Sequence, residues 1–287
     1  MNQNDVFAGY LLISDIDGTL LPRGGQVSPE NRAAVEQFVA GGGHFAIATG
    51  RTPEAAAGYV SGLPVNAPSI FFNGGLLYDW QAAKPLLTRP LPSGTDASIW
   101  PRFAQLCRER LPEACIEVYT ADNCNIISDP VNDDPRLPHE YYKYSHVPLA
   151  EISDLAATPW LKFFVNDAPE RLRQVERWAE ESGLSALANS FYSEANYYEF
   201  VAQGTSKGAM LRALRKLPEW QDYQIIAAGD YLNDNEMLQE ADIGVASGNA
   251  HDDTKKAADI IGCRAEEHLM AWIVEHWTDL AAGQRSF

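Results

Sequence analysis

The chain has 287 residues, about twice the ~150-residue span of a typical domain, so one or two domains fit and a small disulfide-stapled module does not. With 46% hydrophobic and 21% charged residues, it has the composition of an ordinary globular protein rather than a disordered or fibrous one. The formal net charge of -17 argues against nucleic acid or an acidic membrane as partner, so an anionic ligand must be held by local groups. The first apolar run, Tyr10 to Ser14, is nearly continuous and ends in Asp15-Ile-Asp17-Gly18-Thr19, as expected of a strand buried on both faces and closed by a polar turn. Ser28-Pro29-Glu30 predicts a helix start, with Val35, Phe38 and Val39 on one face and Gly41 to Gly43 as the stop. The strand Phe45 to Ala48 then leads to Thr49-Gly50-Arg51, a helix opens at Thr52-Pro53-Glu54, and a third strand, Ile70 to Phe72, runs into Asn73-Gly74-Gly75. This order indicates a right-handed parallel α/β unit.

The same rhythm returns late in the chain. A helix over about Ser206 to Leu217 buries Met210, Leu211, Leu214 and Leu217 and is followed by the strand Gln224 to Ala228. A helix near Leu232, the strand Ile243 to Ala246, a helix over Thr254 to Ala258, the strand Asp259 to Ile261 and a helix from Glu266 to Trp277 complete the pattern. Between the two parts, strands are expected at 116–120, 125–128, 161–165 and 197–202, with a helix from Glu170 to Ser182. Pro85, Pro90 and Pro92 mark joints, and the strands look antiparallel. Residues 80–203 therefore read as a second domain inserted into a core of 1–79 and 204–287.

No apolar run approaches the ~18 residues of a spanning helix, and the start, MNQNDVFAGY, lacks the basic-then-apolar pattern of a secretory leader, so a cytoplasmic protein is expected. Cys107, Cys115, Cys124 and Cys263 form no CxxC pair and no zinc spacing, which suits reduced thiols. Gly41-Gly42-Gly43 lacks the Gly-Lys-Ser/Thr ending of a phosphate loop and precedes a strand, so it reads as a helix stop. His251-Asp252-Asp253 reads as a helix cap, and all six histidines are left out of the site.

Ligands of parallel α/β sheets bind beyond the carboxyl ends of the strands, where four of these polar turns converge. Asp15 and Asp17 lie one strand repeat apart, roughly 6 to 7 Å along the chain, close enough to face one substrate or ion. One can attack phosphorus while the other moves protons, since aspartate is a competent nucleophile toward phosphorus. Taken alone, such a pair is more often a turn-former or cap, and a lone Lys207 is a solvated helix residue about half the time.

The conjunction decides between these readings. Asp15-Ile-Asp17-Gly18-Thr19-Leu20-Leu21 resembles the first motif of the haloacid dehalogenase-like hydrolase superfamily. Ala48-Thr49-Gly50-Arg51, Lys207-Gly208, and the run Gly229 to Leu238 with Asp230, Asn233 and Asp234 resemble the other three, in order and on the expected elements. The resemblance covers nearly all of the core and not the insert. It implies a Rossmann-like parallel α/β core carrying a C2-type α/β cap that closes over the core mouth, most like the Cof-like group.

It further implies a Mg2+-dependent phosphatase acting on a small phosphorylated metabolite. Asp15 would be the nucleophile and Asp17 the acid and base, with a neighbouring carboxylate raising the pKa of Asp17. Thr49, Gly50 and Lys207 would hold phosphoryl oxygens, and Asn233 would reach phosphate or substrate. Asp230, with Asp15 and the backbone carbonyl of Asp17, would bind Mg2+, with Asp234 a ligand or its support.

Seven of the 12 tyrosines lie in the insert (Tyr119, Tyr141, Tyr142, Tyr144, Tyr192, Tyr197 and Tyr198), which hints at a sugar phosphate, although tyrosine is also common in strands. Tyr231, Leu232 and Ser247 depart from the common pattern near the mouth, which weakens transfer of any specific substrate. A sugar phosphomutase of the same superfamily and a binding protein without turnover are the alternatives, the first separated by assay of isomer formation against phosphate release.

Overall fold

The computed structural model describes residues 6–127 and 144–282, and of Ser193 and Glu194 only the backbone. The chain divides into two compact units, Met1–Leu87 with Ser206–Phe287, and Thr88–Thr205.

The first unit is built on a five-stranded parallel sheet in the spatial order Ile260–Ile261, Ile243–Ala246, Gln224–Gly229, Tyr10–Ser14, His44–Ile47. Its central strands carry apolar side chains on both faces because helices cover both, and Leu11, Leu12, Ile13, Ile225 and Ile226 are fully buried. The helix Pro29–Ala40 begins as the sequence predicts: Ser28 accepts a hydrogen bond from the Asn31 N–H (3.1 Å), and Gly41 caps the other end. Asn31 then ties two distant segments, donating to the Leu20 carbonyl (2.9 Å) and accepting from the Met270 N–H (2.9 Å).

Three expectations for this unit need correction. The strand after the second helix, Ser69–Phe71, does not extend the parallel sheet beyond a single bridge between Ala48 and Ile70. It pairs antiparallel with Leu76–Asp79, next to Lys84–Thr88, because Phe72 and Asn73 take positive φ (52° and 53°) and turn the chain back on itself. That hairpin also moves the boundary of the insert from 79/80 to Leu87/Thr88. Finally, the single helix expected over 266–277 is broken into Ala265–Glu267, Leu269–Glu275 and Trp277–Ala281, the first break falling at His268 with φ 69°.

The second unit holds a six-stranded sheet in the order Ala188–Glu194, Tyr197–Ala202, Lys162–Asn166, Cys115–Tyr119, Cys124–Ile126, Tyr144–His146. It is antiparallel except for its last pair, which runs parallel. The helices Ile99–Arg110 and Pro169–Glu181 pack on one face over Ile116, Val118, Phe163, Val165 and Phe200. Among the described tyrosines of this unit, Tyr192 and Tyr198 pack together with ring centroids 4.6 Å apart. Tyr198 is buried in the helix-covered core and bonded to Ser190 (2.9 Å), Tyr119 is buried with its hydroxyl on Glu117, and Tyr144 and Tyr192 are exposed. Tyr141 and Tyr142 lie outside the described residues.

Candidate active site

Parallel register brings the polar turns together. Ser14 pairs with Ala228 on one side and Ile47 on the other, so Asp15 stands level with Gly229 and Ala48. The chain order reverses at this strand, which opens a crevice at its carboxyl end. Asp15, Thr49, Lys207, Asp230 and Asp234 are all buried there. Lys207 opens the helix Lys207–Leu214, whose cap is Ser206 accepting from the Ala209 N–H (2.9 Å). Its Nζ donates to Asp15 Oδ1 at 2.7 Å and to Asp234 Oδ1 at 2.6 Å. The other oxygen of Asp234 accepts from the N–H groups of Asp230 (2.9 Å) and Tyr231 (3.1 Å), so Asp234 locks the turn that presents Asp230. Thr49 Oγ1 accepts from the Arg51 N–H (3.2 Å), which leaves its hydroxyl proton able to donate into the crevice.

Charge is unevenly matched here. Asp15, Asp230 and Asp234 offer ligand oxygens within 4.8 Å of one another, and among the described residues the cations that touch them are Lys207 and the outlying Arg23. Burial, with Asp234 and Asp230 nearby, pushes the Asp15 carboxyl up to about 8 against the pull of Lys207. Burial and Asp234 likewise raise Asp230. Lys207 is disfavoured as an ammonium by its burial, but Asp15 and Asp234 outweigh this and hold it above its ordinary value. Three hard oxygen donors with excess negative charge suit a small divalent cation, so the donor set fits Mg2+.

A family model for haloacid dehalogenase-like hydrolases matches residues 12–272. The chain belongs to this family. Among curated proteins, it is 28% identical over 282 residues to the chloroplastic endoribonuclease YBEY of Arabidopsis thaliana, a match covering 91% of this chain but only 45% of that protein's length. It is also 28% identical over 274 residues to the pyridoxal phosphate phosphatase YbhA of Escherichia coli (strain K12), covering 91% of this chain and 96% of that one. A crystal structure from Thermotoga maritima shares the fold with a TM-score of 0.80 at 23% identity, covering 93% of this chain and 97% of that one.

Within this haloacid dehalogenase-like core, the residues singled out from the sequence fall into two sets. Asp15, Thr49, Lys207, Asp230 and Asp234 line the buried floor. The Asp17 carboxylate is not part of the acidic trio, because it is bound by Arg51 through Nε (2.8 Å) and Nη2 (3.0 Å). Asn233 is exposed and donates to Asn73 Oδ1 at 3.0 Å, while Gly50 lies against the same Asn73. No helix among the described residues is long and apolar enough to cross a membrane.

Four further residues shape the site without a sequence expectation attached to them. Arg51 lies inside the second motif, yet its pairing spans 34 positions. Asn249 donates to the Gly18 carbonyl (2.8 Å) while its own oxygen accepts from Ser247 (2.6 Å) and the Ala265 N–H (2.8 Å), so Ser247 is a buried support of the first turn. Asn73 and Arg23 reach the site from loops. The only sequence signal for such residues is a polar side chain a few residues beyond a strand end, which is too common to single them out.

Proposed function

We propose that this haloacid dehalogenase-like chain is a Mg2+-dependent phosphomonoester hydrolase that passes the phosphoryl group of a small phosphorylated metabolite through Asp15. The observation that carries the reading is a buried Asp15 tied to a buried Lys207 at the carboxyl end of a parallel sheet, with Asp230 and Asp234 behind it. The phosphatase named among its relatives supports the reaction class.

In this reading an Asp15 oxygen attacks phosphorus in line, and the substrate oxygen leaves with a proton taken from Asp17, one oxygen of which gives up its bond to Arg51 to carry that proton. Asp17 then takes a proton from water, the water oxygen attacks the same phosphorus, and free phosphate departs as Asp15 is restored. Lys207 and Thr49 hold the phosphoryl oxygens, with Gly50 and Asn233 at the rim. Asp15, Asp230 and the backbone carbonyl of Asp17 would hold Mg2+, with Asp234 a further ligand or their support, and the ion supplies positive charge at the transferring group. A sugar phosphate belongs to this substrate class.

Rapid quenching after mixing with a radiolabelled phosphate donor tests the mechanism. Label on Asp15 before phosphate release, and none in Asp15→Asn, is the expected result; product formation without label at that side chain overturns it. Assay of isomerised substrate alongside free phosphate separates hydrolysis from mutase chemistry.

A further inference from the structure

Arg23 lies outside all four motifs, in the loop after the first turn, where Gly24 at φ 71° bends the chain. Its side chain is 67% exposed, yet Nη2 reaches the buried Asp230 at Oδ2, 3.1 Å away. The other Asp230 oxygen accepts from Thr19 Oγ1 (3.4 Å), and the α-carbon of Gly18 closes off a further side of the carboxylate. The guanidinium lies 5.6 Å from the ring centroid of Tyr231, which itself stands edge-on to His251. Lys207 pairs with Asp15 and Asp234, so among the described residues Arg23 is the cation paired with the third carboxylate. A long side chain entering from solvent thus takes an oxygen of one of the groups that would hold the metal.

We propose that Arg23 is a built-in competitor of the divalent cation: it balances Asp230 when no metal is bound, is displaced from Oδ2 when metal binds, and thereby weakens metal affinity. A guanidinium and a divalent cation repel each other, so both cannot sit on the same carboxylate at full strength. The exposure of Arg23 keeps the effect modest, roughly two- to fivefold in affinity, and makes it shrink with salt. The Tyr231 face offers the released guanidinium a resting place. This inference rests on the reading of Asp230 as a metal ligand.

The test is Mn2+ binding, followed by the resonance of the free ion, to the unaltered protein and to Arg23→Gln, Arg23→Lys and Asp230→Asn. Arg23→Gln is expected to bind Mn2+ two- to fivefold more tightly, with Arg23→Lys in between. Unchanged or weaker binding by Arg23→Gln overturns the competition, while undiminished binding by Asp230→Asn overturns the ligand reading beneath it. A second measurement separates displacement from distant charge: adding Mg2+ should shift the Nε–H resonance of Arg23, assigned by its loss in Arg23→Gln. If that signal stays fixed, Arg23 is not displaced and the proposal fails.

Discussion

Arg51 spans both carboxylate oxygens of Asp17 while its guanidinium lies 4.2 Å from the ring centroid of Tyr59. The Asp17 side chain is 34% exposed and that of Arg51 19%, so the better-buried partner, braced by an aromatic ring, fixes the rotamer of the freer one. The Arg51 N–H is in turn anchored on Thr49 Oγ1, which couples the two turns. Arg51 therefore sets where the acid and base group of the proposed reaction stands.

Arg51→Ala should lower kcat by roughly tenfold to a hundredfold with a smaller change in KM, since small misplacement of a catalytic group has effects of that size. Arg51→Lys should recover only part, because one ammonium does not span two oxygens. Steady-state kinetics with p-nitrophenyl phosphate and Mg2+ checks this. An unchanged kcat in Arg51→Ala would show that Asp17 needs no such support.

Gly18 has φ 91°, and a Cβ added there would lie 2.4 Å from Asp230 Oδ2. Gly18→Ala thus combines a disfavoured backbone with displacement of a buried carboxylate, and should destabilise the fold by about 1–3 kcal/mol while weakening Mg2+ binding. Gly9 also has positive φ (83°) but nothing within 4 Å, so Gly9→Ala should show the backbone part alone. Thermal unfolding and metal titration of both variants decide the matter, and equal effects at the two positions would remove Asp230 from the explanation.

Where a site residue stands at a strand end or helix start, its place is legible in the sequence. Asp15, Thr49 and Asp230 each follow an apolar run, and Lys207 follows a Ser cap. What stays hidden depends on side-chain reach between distant segments, as in Arg23 with Asp230 across 207 positions and Asn31 between Leu20 and Met270. In the second unit, the helix Ile99–Arg110 carries Pro101 in its first turn, which a helix tolerates but which gives no start signal in the sequence, and it has no side-chain cap. The edge strand Ala188–Glu194 (ANSFYSE) has a weak period and no β-branched residue, so only its pairing with Tyr197–Ala202 identifies it.

The raised Asp15 carboxyl gives metal-free protein a pH dependence of definite sign. Its folded value of about 8 lies above the ordinary 3.8, so between these values the native state binds the proton more tightly than the unfolded chain does. The Asp15 contribution to stability is fullest below about pH 4, declines as pH rises toward 8, and is flat above. Unfolding temperatures in EDTA should therefore carry a falling component across that window, and saturating Mg2+ should remove it by stabilising the carboxylate. Mg2+ binding below about pH 8 should also release a proton, which calorimetry in buffers of different ionisation enthalpy detects. Binding without proton release midway through that window would contradict a protonated Asp15.

Lys207 is fully buried and bridges Asp15 and Asp234, so its removal strands two carboxylates in a site that already holds a third. Breaking a buried ion pair from one side typically destabilises by about 3–5 kcal/mol, and Lys207→Met should fall in that range in EDTA while losing turnover. Above about pH 8, where Asp15 is ionised in the unaltered protein, adding Asp15→Asn to Lys207→Met should restore part of the stability by removing one stranded charge, even though each change alone abolishes activity. Mg2+ should stabilise Lys207→Met more than the unaltered protein, since the divalent cation then meets less compensated acid. Denaturant unfolding of the four proteins of this cycle, with and without Mg2+, measures each step. A Lys207→Met protein as stable in EDTA as its parent would mean that the three carboxylates are protonated or solvated enough to need no ammonium, and the charge argument for the metal site would fail with it.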